Sequence, residues 1–255
     1  MNTASTASFL EILAPEPERL EEVRGALAIL GGYPDFDAVL KGATQLVSTE
    51  EGRAALRKPG ALAVYIKLAI QGRYPTLMLC RHPEDLSYLV DALAMRAPSV
   101  EEMAEELRVA IVVEVGRLAM DGNRIDIVES ELRRFKRRQS LRIFHEEIEG
   151  QASVRQTTAE IADVAEACLT VGVEEVARSL GDESLVEDFC ILGMGKLGGR
   201  ELNYSSDIDL VYLGSDRLRE DPERRGAVDQ LARRLTALID ETTPDGYVFR
   251  VDLRL

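Results

Sequence analysis

Residues 189–213 read FCILGMGKLGGRELNYSSDIDLVYL, and the fold turns on this stretch. Phe189-Cys190-Ile191-Leu192 is a short apolar run stopped by glycines, the pattern of a buried strand. Ser205 to Leu213 predicts a second strand, with Asp207 and Asp209 at alternate positions. Beyond it, Pro222 to Glu241 carries Val228, Leu231, Leu235, Leu238 and Ile239 on one helical face. Pro244-Asp245-Gly246 makes a turn. Tyr247 to Leu255 predicts a third strand, in which Val248, Arg250, Asp252 and Arg254 alternate with Tyr247, Phe249 and Val251. Strand, loop, strand, helix, strand is the order of a mixed sheet with a helical layer.

Upstream the character is different. Pro17 to Leu30 places Leu20, Val23, Leu27 and Leu30 on one helical face. Further helices are predicted over Asp35–Val47, Gly60–Gln71, Pro83–Met95, Ser99–Asp121, Ile125–Gly150 and about Arg155–Leu180. Arg73-Tyr74-Pro75 and Ala97-Pro98-Ser99 act as breakers. Ser99 with Glu102 fits a capping box. The fold class expected is α+β: a helical domain over residues 1–180, then a mixed sheet with helices over 181–255. The last predicted strand meets the end of the sequence without a turn or cap, so the sheet reads as truncated at its carboxyl end.

Composition narrows the function. Lys plus Arg number 31 against 45 Asp plus Glu, a formal net charge of −14. A field of that sign repels nucleic acid. Aromatic residues are 5% and Trp is absent, which argues against a base-stacking surface. No run approaches the ~18 apolar residues of a membrane span, and Met1 to Ser8 lacks the basic start of a signal peptide. Cys80, Cys168 and Cys190 form no CxxC pair and have no nearby His. They read as small buried hydrophobes in a reducing cytosol rather than zinc ligands, and a cytoplasmic protein is expected.

The chemistry lies in Asp207-Ile208-Asp209. Residues two apart on a strand point to one face, and adjacent carboxylates repel unless a cation answers them. Hard oxygen donors suit Mg²⁺ or Mn²⁺. If the third strand is a neighbour, Asp252 joins them together with Arg250 and Arg254. That is equipment for metal-bound phosphates. The preceding loop runs Gly193-Met194-Gly195-Lys196-Leu197-Gly198-Gly199. Its GxGxxG spacing follows a strand, but the next strand arrives too soon for a dinucleotide-binding crossover. The glycines still allow close approach of backbone to phosphate, and Lys196 adds charge. The basic run Arg133, Arg134, Lys136, Arg137, Arg138 and Arg142 reads as a solvated helix face, with a docking surface or phosphate contact as the alternative. His82 and His145 read as structural.

ILGMGKLGGRELNYSSDIDLVYL with YVFRVDLRL closely resembles the glutamine synthetase adenylyltransferase family. The resemblance covers about residues 189–255 and contains the Gly-[Gly/Ser] turn ahead of Asp-x-Asp shared by nucleotidyltransferases. It implies a nucleotidyltransferase-type sheet, with Asp207 and Asp209 as the metal-binding pair and Asp252 as the third catalytic carboxylate. Gly198, Gly199 and Ser206 match the turn and strand entry that hold nucleotide phosphates. Family members carry two such heads, and the GMGKLGG…NYSSDIDL wording with its helical lead-in resembles the amino-terminal, adenylyl-removing one. The function implied is Mg²⁺-dependent phosphorolytic removal of AMP from a tyrosine of glutamine synthetase, releasing ADP, in control of nitrogen assimilation. The alternatives are adenylylation with ATP, or a non-catalytic module that binds glutamine synthetase or its regulator. The partners implied are glutamine synthetase, nucleotide, phosphate and, through regions this chain lacks, the PII signal protein; nucleic acid and membranes are not among them.

Overall fold

The computed structural model describes residues 36–118 and 123–253, together with Gly25, Ala28 and Ile29. The helix expected over Pro17–Leu30 therefore lies outside the described residues, except for those last three, which are helical. Up to Ser179 every described element is a helix: α1 Phe36–Val47, α2 Glu50–Arg57, α3 Ala61–Ala69, α4 Arg73–Arg81, α5 Glu84–Ala92, α6 Val100–Arg117, α7 Arg124–Ile148 and α8 Val154–Ser179. A 3₁₀ turn, Glu183–Asp188, leads into β1 Phe189–Gly193. A single helical turn α9, Gly195–Gly198, precedes β2 Ile208–Gly214. After a second 3₁₀ turn come α10 Pro222–Asp240 and β3 Val251–Asp252. This is the α+β class expected.

Two of these helices were not expected. The breaker Arg73-Tyr74-Pro75 instead opens α4, with Pro75 buried in its first turn. A helix's first N–H groups have no partner within the helix, so proline is tolerated there. Helix α2 is short and polar on average, and Thr49 starts it by accepting from the Gly52 N–H. The capping box at Ser99–Glu102 is present, and a second one stands at Ser153–Gln156.

The chain forms two compact units whose limits differ from the expected boundary at residue 180. One comprises residues up to Arg96 with Phe144–Gln151; the other comprises Ala97–Ile143 and Ala152–Leu255. In the first, Leu46, Leu56, Leu62, Ile66, Leu79, Leu86 and Leu89 are buried, and the Tyr65 hydroxyl donates to the Val39 carbonyl at 2.9 Å. His145, also of this unit, is buried with both ring nitrogens unpartnered among the described residues, and burial pushes its pKa down.

In the second unit the helices α6 and α8 and most of α7 share one apolar core with the sheet, which explains why contact does not respect residue 180. Leu107 and Ile111 of α6, Leu132 and Phe135 of α7, Cys168 and Val171 of α8, and Leu231 and Leu235 of α10 all belong to it. Gly172 lets α10 approach α8, because a Cβ there would meet Leu235 Cδ1 at 2.9 Å.

The sheet has the order β1-β2-β3 and is mixed. β1 and β2 are antiparallel with Cys190 opposite Leu213 and Leu192 opposite Val211, while β2 and β3 are parallel. Side chains alternate between faces along a strand. Ile208 and Leu210 enter the core, with Phe189, Ile191 and Tyr212 packed against it, whereas Cys190, Leu192 and Leu213 are exposed. β1 is thus an edge strand covered on one face among the described residues, not a wholly buried one. Of the cysteines, Cys168 is buried, Cys80 is half-buried and Cys190 is exposed, so the reading of all three as buried holds only for Cys168.

Candidate active site

Four peptide segments of the second unit bring the chemistry together. The strand entry is made by a turn: Ser206 N–H donates to the Asn203 carbonyl at 3.1 Å, Ser205 N–H to Asn203 Oδ1 at 3.1 Å, and Asn203 N–H to Ser206 Oγ at 3.3 Å. Ser206 is therefore occupied in shaping this entry. The strand begins at Ile208 rather than at Ser205, so Asp207 stands at the entry and Asp209 inside the strand.

The third strand is shorter than expected. Tyr247 to Arg250 is not strand, because the end of α10 takes its backbone donors: Val248 N–H and Phe249 N–H both reach the Ile239 carbonyl at 3.1 Å, and Val251 N–H reaches Asp240 Oδ1 at 2.9 Å. Arg254 and Leu255 lie outside the described residues. The remaining pairing is the decisive part. Ile208 N–H donates to the Arg250 carbonyl at 2.8 Å, Ile208 is opposite Val251, and Asp209 is opposite Asp252. Directly paired residues of parallel strands project to one side, and neighbouring strands lie about 4.8 Å apart. Asp209 and Asp252 thus stand side by side, both half-buried.

Asp207 is engaged differently. Arg250 donates through Nε to Asp207 Oδ1 at 2.5 Å and through Nη2 to the Ser205 carbonyl at 2.6 Å, with its guanidinium 5.9 Å from the Tyr247 ring centroid. Among the described residues no three His, Cys, Asp or Glu side chains are grouped as a ready-made metal cage. The donor set nonetheless fits Mg²⁺ or Mn²⁺: it is hard oxygen throughout, and the Asp209–Asp252 register supplies two of the three carboxylates as neighbours.

The glycine segment expected to be a loop is the helical turn α9. Gly195 sits at φ +51°, in the left-handed region, and a Cβ on it would meet Asp209 Oδ2 at 2.3 Å. Met194 N–H donates to the Asp209 carbonyl at 2.8 Å. The turn is therefore pressed directly on the Asp209 carboxylate. Gly198 and Gly199 N–H are bonded to the Met194 and Gly195 carbonyls at 2.9 and 3.0 Å, so those donors serve the turn itself. Lys196 and the glycines around it are exposed. Leu197 alone of the turn is buried, and it anchors the turn in the core.

The basic run on α7 is not the solvated face expected of it. Arg133, Arg137 and Arg142 are buried. Arg133 donates to the Gly246 carbonyl at 2.8 Å, to the Glu129 carbonyl at 3.0 Å and to the Glu241 carbonyl. Arg142 pairs with Glu160 at 2.8 Å and Arg134 with Glu131 at 2.5 Å. Lys136 Nζ lies 5.6 Å from the Tyr247 ring centroid and 5.5 Å from that of Phe249. Burial pushes its pKa down. Helix α7 thus grips residues 241–249, the segment that delivers Arg250 and Asp252. Sequence reading missed this role, although the apolar residues interleaved with the arginines were its signal.

A groove of about 630 Å³ runs between α8 and the outer edge of β1. Leu169, Val173, Ile191 and Leu197 line it, together with Glu166, Arg200 and Gly198; Asp209 is not among its lining residues.

Comparison with known proteins points to the same family as the motifs. A family model described as glutamate-ammonia ligase adenylyltransferase matches residues 66–255. A Shewanella frigidimarina protein named bifunctional glutamine synthetase adenylyltransferase/adenylyl-removing enzyme is 33% identical over 190 residues, 69% of this chain and 19% of that protein. A protein of the same name from Stenotrophomonas maltophilia is 40% identical over 138 residues, 49% of this chain and 15% of its own length. Another, from Chromobacterium violaceum, is 26% identical over 260 residues, 99% of this chain and 28% of its own length. The chain spans less than a third of the length of the curated relatives it matches.

Proposed function

This chain belongs to the glutamate-ammonia ligase adenylyltransferase family, and from that premise we propose that it is an adenylyl-removing head. Its reaction is phosphorolysis of the AMP carried by a tyrosine of glutamine synthetase. An oxygen of inorganic phosphate bonds to the α-phosphorus, the bond from phosphorus to the tyrosine oxygen breaks, that oxygen takes up a proton, and ADP leaves. The observation that supports nucleotidyl transfer is the β2–β3 register, which sets Asp209 beside Asp252, with Asp207 held by Arg250. Those carboxylates serve either direction, and the choice of removal rests on the resemblance of GMGKLGG…NYSSDIDL to the adenylyl-removing head.

Asp207, Asp209 and Asp252 would hold Mg²⁺, or Mn²⁺ in its place. When bound, the metal would supply charge neutralisation at the transferring phosphoryl group. The chain's own part is positional. Gly195 keeps a side chain away from Asp209, and Leu197 fixes the turn that faces the carboxylates. Lys196 and Arg250 are exposed cations that would meet phosphate oxygens, with Gly199 and Ser206 as further phosphate contacts. Arg254 completes this set as an expectation from sequence alone. The setting proposed is cytoplasmic control of nitrogen assimilation, with the PII signal protein acting through segments beyond this chain.

The test supplies adenylylated glutamine synthetase with phosphate and Mg²⁺, and separately the unmodified enzyme with ATP and Mg²⁺. ADP release in the first mixture, without AMP gained on tyrosine in the second, is the expected result. The opposite pattern assigns adenylylation to this head. Binding of glutamine synthetase with neither reaction assigns a non-catalytic module.

A further inference from the structure

Resting on the metal-dependent reading above, we infer that Arg250 is a built-in counter-cation that holds Asp207 until the divalent metal displaces it, and then turns to the substrate phosphate. Two rows of side chains cross the β2–β3 junction. The register that puts Asp209 opposite Asp252 puts Asp207 opposite Arg250. A metal resting on Asp209 and Asp252 needs Asp207 to complete a three-carboxylate set. The structure instead shows Asp207 bound by Arg250, whose other prong is on the Ser205 carbonyl. Among the described residues the three carboxylates meet at the β2–β3 junction without forming a ready-made cage.

The pair is suited to exchange. Its side chains are 51% and 50% exposed, so water screens the attraction and the net worth of the contact is small. A divalent ion on oxygen donors outcompetes such a pair, whereas three bare carboxylates would repel each other in its absence. The guanidinium fork, once released, presents the planar double donor that phosphate accepts best. Arg250 precedes Asp252 by two residues, and its guanidinium already rests on Asp207 at the entry to the strand that carries Asp209. Its swing from Asp207 to phosphate therefore stays within the site. The unusual consequence is one of sign: an arginine of the phosphate site weakens metal binding.

Mn²⁺ alone is the probe, with the unbound ion followed by its electron paramagnetic resonance signal, using the full chain. Arg250→Met is expected to tighten Mn²⁺ binding about twofold to fivefold, the range that an exposed ion pair commands. Asp209→Asn is expected to weaken it. Combining Arg250→Met with Asp207→Asn separates competition for Asp207 from a general field: the gain from Arg250→Met should vanish in the Asp207→Asn background. With Mg²⁺ saturating, Arg250→Met should bind ADP about tenfold more weakly, the loss of one charge-assisted pair. Should Arg250→Met unfold, Arg250→Lys carries the same test with a smaller gain, since the ammonium lacks the fork. Unchanged or weaker Mn²⁺ binding by Arg250→Met overturns the inference, as does an equal gain with and without Asp207. Unchanged ADP binding overturns the swing to phosphate. If the native chain binds no Mn²⁺ at all, the metal-dependent reading itself falls; if it binds and Asp209→Asn does not, that reading stands whatever Arg250 does.

Discussion

A Cβ placed on Gly198 would meet the Gly193 carbonyl oxygen at 2.4 Å, whereas one on Gly199 would meet nothing closer than the Gly195 carbonyl at 3.4 Å. The first contact is backbone on backbone and cannot be relieved by a side-chain rotation, so Gly198→Ala should displace the turn and cost about 1–3 kcal/mol. The second is ordinary contact, so Gly199→Ala should leave stability within about 0.5 kcal/mol of the parent. If the outer surface of the turn meets phosphate, Gly199→Ala should still lose nucleotide affinity, because only the ligand remains to clash with the methyl group. Urea unfolding together with ADP titration checks both variants. A Gly199→Ala protein that binds ADP like the parent removes Gly199 from the site. Gly195 has a third reason for lacking a side chain, its φ of +51° beneath the Asp209 carboxylate. The Gly-Gly and Asp-x-Asp motifs could be read from sequence because each needs a particular residue type at a fixed spacing. The Arg250–Asp207 pair could not, since it depends on which residue of β2 faces which residue of β3.

At the scale of elements, α7 matters more to the site than any reading of its charges suggested. Arg133 is buried and satisfies the Gly246 and Glu241 carbonyls at the two ends of the turn before β3. Arg133→Met keeps the stem but takes the guanidinium from the Glu241 carbonyl, while the Gly246 carbonyl keeps the Thr243 N–H and hydroxyl as donors, and should cost about 1–3 kcal/mol. Amide exchange should accelerate over residues 241–250 while the α1–α5 unit keeps its protection. A uniform change across the chain would show that Arg133 is merely one more core residue. The long helices were legible because periodicity survives over several turns. Three features were not. Pro75 was read as a stop, although proline inside the first turn starts a helix as readily as it ends one. The arginines of α7 were read as facing water, because charge alone does not reveal carbonyls arriving from 108 and 113 residues away. The third strand was extended to Tyr247 because alternation is preserved there, yet the backbone donors go to the end of α10.

For the whole molecule, acid is the informative variable. The carboxyl of Asp188, at the entrance to β1, is held below the usual range by the Ser215 hydroxyl and then by Arg224. Asp182 is lowered chiefly by Ser184, and Glu183 by Arg178. Glu131 opposes them, raised by burial. A carboxylate with a depressed folded pKa stabilises fully above its unfolded value, near 4, and this is lost as pH falls through the folded value. His145 is depressed by burial, so its contribution is complete above about 6.5 and declines below it. Two limbs follow: a shallow loss of stability beginning near neutrality, which His145→Gln should flatten, and a steeper one below about pH 4. Arg224 joins Asp188, Asp182 and the Ser184 carbonyl, tying α10 to the segment before β1. Arg224→Met should therefore be clearly destabilised at pH 7. Its deficit should shrink as pH drops toward 3, because protonated Asp188 no longer needs the guanidinium. Urea midpoints by circular dichroism at pH 7, 5.5, 4 and 3 measure this directly. A deficit that stays constant across that range would mean Arg224 acts by packing its stem and not by its charge.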